Sequence, residues 1–171
     1  HLAYFHKRCK FGAENFIMSK VRITKKFRFE AAHALFGYDG KCKNIHGHNY
    51  NLFVTVIGMP ISNPKNVKLG MVMDFGDLKK IVNTTIVDKF DHSLIINKNS
   101  PHKQLAETLI ENGHKVVFTN YQPTIEEMVV DFSKKISKNL PKDITLHSLK
   151  LEETETSYSE WFAKDNYCLL Y

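Results

Sequence analysis

The chain has 171 residues, of which 43% are hydrophobic and 25% charged, enough for one domain with a real core and ordinary for a globular protein. No apolar run approaches the roughly 20 residues that a membrane-spanning helix needs, so no membrane partner is expected. The formal charge of +6 permits nucleic-acid binding, but Lys and Arg are spread along the whole chain without a basic stripe. A solvated surface is expected, with a few cations free for an anionic small substrate and no nucleic-acid partner.

Residues 1–17, HLAYFHKRCKFGAENFI, lack the apolar core and small-residue cleavage site of a signal peptide. Met18 followed by Ser-Lys-Val reads as a natural start. The expected division is an N-terminal extension at 1–17, a single domain at 18–163 and a C-terminal tail at 164–171. Cys9, Cys42 and Cys168 are odd in number, and two of them fall in the tails. They form no disulfide framework, and a reducing cytoplasm is the expected location.

From Val21 to His33 apolar residues fall on alternate positions, with one polar break at Lys25, as in a half-buried strand. Gly37 to Gly40 supplies a turn, and residues 44–58 form the antiparallel partner. Asp74 is placed to cap a helix whose apolar stripe is Phe75, Leu78, Val82, Ile86 and Phe90. Residues 93–123 are mixed and polar, with a short helix at Gln104 to Glu111 and a short strand at Lys115 to Thr119. Pro123-Thr124 opens a further helix with a stripe at Ile125, Met128, Val129, Phe132 and Ile136, ended by Pro141. Residues 143–155 read as a strand and 158–163 as the last one. Sequentially paired strands with helices grouped between them predict an α+β domain, in the order ββααββ, around an antiparallel sheet of four strands.

Three histidines carry the chemical signal. His46 and His48 stand at i, i+2 on a strand and so share a face. His33 lies on the adjacent strand and would bring a third nitrogen. Three such ligands leave the fourth tetrahedral position of a zinc ion open, which distinguishes a catalytic site from a closed structural one. Gly47 removes side-chain bulk from the opposite face, where other backbone can approach. Cys42, four residues before His46 and between Lys41 and Lys43, is placed to act as base or nucleophile, or to close the metal site as a fourth ligand. Asp91-His92 suits acid–base work, although such pairs also occur by chance at helix ends. Glu153 continues the face of Leu149 and Leu151 into an apolar setting, where a carboxylate needs partners. A ligand edge with two adjacent N–H groups would supply them. His147 has no metal-like spacing and reads as a surface or core residue.

The pieces FEAAH, C-x3-HGHNY, GMVMDFGDLK, FDHSLIIN, PTIEE and LEET, in this order, resemble the 6-pyruvoyltetrahydropterin synthase / 6-carboxytetrahydropterin synthase family from about Val21 to Phe162. The resemblance implies the tunnelling fold, with two helices on one face of a four-stranded sheet and several subunits joined into a barrel. It also implies a hexamer built as a pair of trimers, with active sites at subunit interfaces. By the same resemblance His33, His46 and His48 match the zinc ligands, Cys42 the catalytic cysteine, and Asp91 with His92 the acid–base pair. Glu153 matches the carboxylate that anchors the pterin ring, and Glu126, in PTIEE, falls near the substrate. The substrate it implies is 7,8-dihydroneopterin triphosphate.

The short C-x3-H spacing resembles the bacterial branch that makes 6-carboxy-5,6,7,8-tetrahydropterin for queuosine synthesis, releasing acetaldehyde and triphosphate. The animal branch, which eliminates triphosphate to give the 6-pyruvoyl product, has a longer spacing. A third branch, making 6-hydroxymethyl-dihydropterin, carries a glutamate just before HGH, where this chain has Lys43, Asn44 and Ile45. Residues 97–121 exceed the compact bacterial form. A structural zinc module, closed by Cys42, is the alternative from outside enzymology.

Overall fold

The first two strands, β1 (Val21–His33) and β2 (His46–Gly58), pair antiparallel over their whole length, Val21 opposite Gly58 and His33 opposite His46. Their alternation does what it predicts. Phe27, Phe29, Ala31 and His33 on β1, with Tyr50, Leu52, Val54 and Val56 on β2, are all buried on one face. The computed structural model describes residues 19–166. The expected extension at 1–17, Cys9, Cys168 and residues 167–171 of the tail lie outside them.

Asp74 caps α1 (Phe75–Val82), its carboxylate accepting from the Gly76 N–H at 2.6 Å. The helix runs on through a π-helical stretch, Asn83–Val87, into α2 (Asp88–Phe90). Leu78, Val82, Ile86 and Phe90 are buried, whereas Phe75, expected in the same stripe, is 49% exposed at the helix entrance. Steps of four residues drift around an ordinary α-helix of 3.6 residues per turn. The wider π turn takes up that drift and keeps Ile86 and Phe90 facing inward. Thr85 marks the widening, its hydroxyl donating back to the Ile81 carbonyl at 2.7 Å.

The sheet corrects the expectation of four antiparallel strands. Among the described residues it has six strands in the order β4-β3-β1-β2-β5-β6, and two of its ladders are parallel. β3 (Ser93–Asn97) lies parallel to β1 at Ala31 to His33, and β4 (Val116–Thr119) lies parallel to β3. Between them α3 (His102–Glu111) makes the crossover that a parallel pair requires. β3 escaped the reading because it has no alternation: Ile95 and Ile96 are both buried, facing opposite sides. Ile95 joins the main core, while Ile96 packs with Ala34 and Ala106 beneath α3.

Thr124 caps α4 (Ile125–Ser137), and all five residues of its expected stripe are buried. The helix stops at Ser137, ahead of Pro141. β5 (Thr145–Glu152) pairs with β2 through a bulge at Thr55/Val56, and β6 (Tyr158–Phe162) pairs with β5. A short α5 (Ala163–Asn166) begins where the tail was expected. α1 and α4 cover one face of the sheet, with Phe132 set edge-on to Phe29 and Phe90 at centroid distances of 6.1 and 4.9 Å. Each large apolar side chain buried there contributes on the order of 1.5–3 kcal/mol.

Candidate active site

The inward face of the β1–β2 ladder changes character at one end. Beyond Tyr50 the positions that would continue the core are His48 and His46, and on β1 the position after Ala31 is His33. His33 is 2% exposed, and the other two are half-buried. The ligand atoms of the three lie within 4.8 Å of one another, the one such metal-capable group among the described residues.

Hydrogen bonding settles which nitrogens converge. His33 Nδ1 is 2.7 Å from the Pro123 carbonyl, and His46 Nδ1 is 2.8 Å from the Asn44 carbonyl. A carbonyl can only accept, so both Nδ1 atoms carry the proton and both Nε2 atoms present lone pairs. Those two lone pairs face each other at 3.1 Å. His48 Nε2 is buried with no hydrogen-bond partner. Burial holds the His33 and His48 rings below the ordinary imidazole range, against the opposing pull of the Glu153 carboxylate. Three imidazole nitrogens, two of them with the far N–H held by a backbone carbonyl, fit a zinc ion in ligand type and number. Without a cation the facing lone pairs repel.

Glu153 reaches this cluster from the end of β5. Its Oε1 stands 3.5 Å from His33 Nε2 and 3.6 Å from His48 Nε2, and accepts from the Tyr50 hydroxyl at 3.4 Å. Its neighbour Glu152 is turned away and pairs with Lys150 at 2.9 Å. The expected register of this strand therefore holds. Burial, then the Glu153 charge, pushes the Tyr50 phenol far above its ordinary range, so it stays a hydrogen-bond donor.

Asp91 and His92 form the turn after α2. Asp91 Oδ1 accepts the Glu30 N–H at 2.9 Å, and Oδ2 lies 2.9 Å from His92 Nδ1. The Glu30 N–H, more than His92, holds the Asp91 carboxyl below the usual carboxylate range. His92 takes φ = 55°, an uncommon conformation for a residue other than glycine, and its N–H bonds the Glu30 carbonyl. Its side chain is 76% exposed. It lines an open groove of about 470 Å³ together with Glu30, Gly47, Asn49 and one member of the histidine cluster, His48, whereas His33, His46 and Asp91 do not line it. A Cβ on Gly47 would come only to 3.4 Å from the Ala31 carbonyl. That is ordinary contact, so crowding by backbone, the expected reason for this glycine, does not apply within the chain.

Cys42 sits half-buried in a 3₁₀ turn, Lys41–Lys43, as a free thiol. It is not part of the metal-capable group, which weighs against a site closed by sulfur. Glu126 is exposed on the first turn of α4, and among the described residues no hydrogen bond or ion pair joins it to the histidines. The segment that leads into this helix does serve the site, through the Pro123 carbonyl. His147 rests against Ser148 and Phe162, away from the cluster. Sequence reasoning missed Pro123, Asn44 and the Tyr50 hydroxyl. Backbone carbonyls leave no residue-type signal, but a Tyr in the run His46, His48, Tyr50 was a legible hint.

A three-histidine constellation on paired strands, with a carboxylate above it, defines the class of protein. Residues 22–164 match the family described as 6-pyruvoyl tetrahydropterin synthase. The chain belongs to that family. It is 36% identical over 141 residues to the 6-carboxy-5,6,7,8-tetrahydropterin synthase of Haemophilus influenzae, covering 82% of this chain and 97% of that one. It is 31% identical over 164 residues to the protein of the same name from Aquifex aeolicus, covering 83% and 98%. Among solved structures, 6-pyruvoyl tetrahydropterin synthase from Caenorhabditis elegans superposes with a TM-score of 0.60 at 24% identity, covering 85% of this chain and 97% of that one. An uncharacterized protein from Wolinella succinogenes gives 0.71 at 17%, covering 85% and 99%. At these identities the two structures speak to the fold alone.

Proposed function

We propose that the protein is a zinc-dependent lyase that converts 7,8-dihydroneopterin triphosphate to 6-carboxy-5,6,7,8-tetrahydropterin, releasing acetaldehyde and triphosphate, on the route to queuosine and other 7-deazaguanines. The observation that carries this reading is the grouping of three histidine nitrogens, with the Glu153 carboxylate 3.5 and 3.6 Å from two of them. The names of the relatives and the short spacing between Cys42 and His46 favour the carboxy product over the pyruvoyl one.

His33, His46 and His48 would hold the ion, which acts as a Lewis acid toward the hydroxyls of the substrate side chain and makes the adjacent C–H and O–H protons easier to remove. Glu153 receives the paired N–H donors of the pterin ring and orients it. His92, its Nδ1 held by Asp91, offers Nε2 to the groove as a proton carrier, and Cys42 serves as the second. Lysine and arginine side chains hold the triphosphate. Glu126 lies at the rim of the pocket in this reading.

The working form is a cytoplasmic homohexamer. Among the described residues β3 covers only Ala31 to His33 of β1, and β4 and β6 end the sheet, which leaves strand edges to accept a neighbouring copy. Light scattering of the purified protein checks the assembly. Incubation with dihydroneopterin triphosphate and mass analysis of the products tests the reaction. The 6-carboxy product with acetaldehyde is expected; the 6-pyruvoyl product would move the protein to the other branch, and no product from metal-loaded protein would overturn the reading.

A further inference from the structure

We propose that Glu153 is a fourth, exchangeable metal ligand: in the substrate-free protein its carboxylate occupies the coordination position that the substrate takes over, and the pterin ring draws it away. The inference rests on the reading of the site as a metal-dependent pterin site, and deepens it.

Geometry comes first. In a tetrahedral zinc site with bonds of about 2.0–2.1 Å, ligand atoms stand about 3.3–3.4 Å apart. His33 and His46 Nε2 are 3.1 Å apart, and Glu153 Oε1 is 3.5 and 3.6 Å from His33 and His48 Nε2. The carboxylate oxygen therefore keeps the spacing of a ligand toward two of the three histidines.

Charge comes second. The Glu153 side chain is only 20% exposed, and a carboxylate so withdrawn from water needs a cation or several donors. Its protein partners are one hydroxyl at 3.4 Å and two imidazoles at 3.5 and 3.6 Å. Glu152, one residue earlier, has the Lys150 ammonium. Glu153 has no such cation among its described contacts, and a divalent ion between it and the histidines supplies one.

Exchange follows from the oxygen count. A carboxylate that receives two ring N–H groups side by side uses both oxygens in the plane of the ring. Binding the ring therefore competes with the metal for Oε1, and when the ring draws the carboxylate into its own plane the vacated position becomes available to the substrate side chain. The metal opens only to a molecule that carries the ring, so ring recognition controls access to the reactive centre.

The test uses the full chain loaded with cobalt(II), whose visible absorption reports its ligands, and a chelator competition for affinity. E153Q should bind cobalt about 10–100-fold more weakly than the natural protein and show an altered spectrum, whereas E152Q should match it. Bare pterin, which has no side-chain hydroxyls, should change the spectrum of the natural protein and leave that of E153Q alone. E153D, which keeps a carboxylate, guards against a folding defect by restoring part of the affinity. Equal affinity and spectrum for E153Q, or a pterin-induced change that persists in E153Q through direct ring contact with the metal, would overturn the proposal. H48A separates the two levels. If it loses cobalt while E153Q does not, only this inference fails; if it keeps cobalt, the metal site itself is misread.

Discussion

The two ends of the β1–β2 ladder share one register and one inward face, yet they do opposite things. At one end Leu52, Val54 and Val56 are fully buried against apolar neighbours. At the other, the same alternation delivers His33, His46 and His48, whose rings lose water and gain two carbonyl bonds, each other and the nearby Glu153 carboxylate. The apolar end lowers the free energy of the fold by itself. The histidine end leaves a buried nitrogen without a partner and two lone pairs face to face, a local deficit that a bound cation offsets. Because both ends lie on one rigid pleat, the core positions the ligands.

The sharpest way to break this comparison is to remove a ligand. His48→Ala should abolish metal binding and activity while the far-ultraviolet circular dichroism stays native, since His48 belongs to the half that does not hold the fold. Metal analysis and a product assay check it; retention of full metal content would erase the distinction between the ends.

Cys42→Ala comes next. Loss of a positioned proton-transfer group lowers turnover by roughly 10²–10⁴-fold. Metal content should stay at the natural level, because the thiol is outside the histidine group. A variant that lost metal instead would make Cys42 a ligand.

The apolar end should answer in the other currency. Leu52→Ala, at a position with no exposed surface, should destabilise the protein by about 2–5 kcal/mol in urea unfolding. Metal stoichiometry should be unchanged wherever the protein is folded. If metal binding falls with stability at temperatures where the variant is folded, the two ends are coupled more tightly than a shared pleat requires.

The smallest effect concerns the turn beside the site. The Asp91 carboxyl titrates below its ordinary value of 3.8, so its contribution to stability is complete above that value and is lost as the pH falls through the lowered one. Asp91→Asn should therefore be less stable than the natural protein at neutral pH, with the gap closing only in acid below pH 3.8. Denaturation midpoints measured across that range check the sign. A gap that closed near neutrality would point to His92 as the titrating partner.

Local chemistry made much of this protein readable before any coordinates. Period-two alternation placed β1 and β2 and set three histidines on one face. The helical stripe from Ile125 to Ile136 and the caps Asp74 and Thr124 are likewise properties of short segments. The step of one residue that separates Glu152 from Glu153 followed from the face of Leu149 and Leu151, because the strand pleat leaves no other choice.

Only the tertiary structure decided the rest. β3 carries apolar residues on successive positions because both of its faces are covered, and a strand covered on both sides shows no period. Its parallel place between β1 and β4 depends on a crossover, which no local pattern encodes. The Pro123 carbonyl that fixes the tautomer of His33 comes from a residue 90 positions away. Phe75 fits a helical stripe by spacing but stands at the mouth of the helix, where nothing packs over it closely enough to bury it. Sequence periodicity determines which way a side chain points, whereas which distant backbone atom meets it there is set by the assembly of the whole sheet.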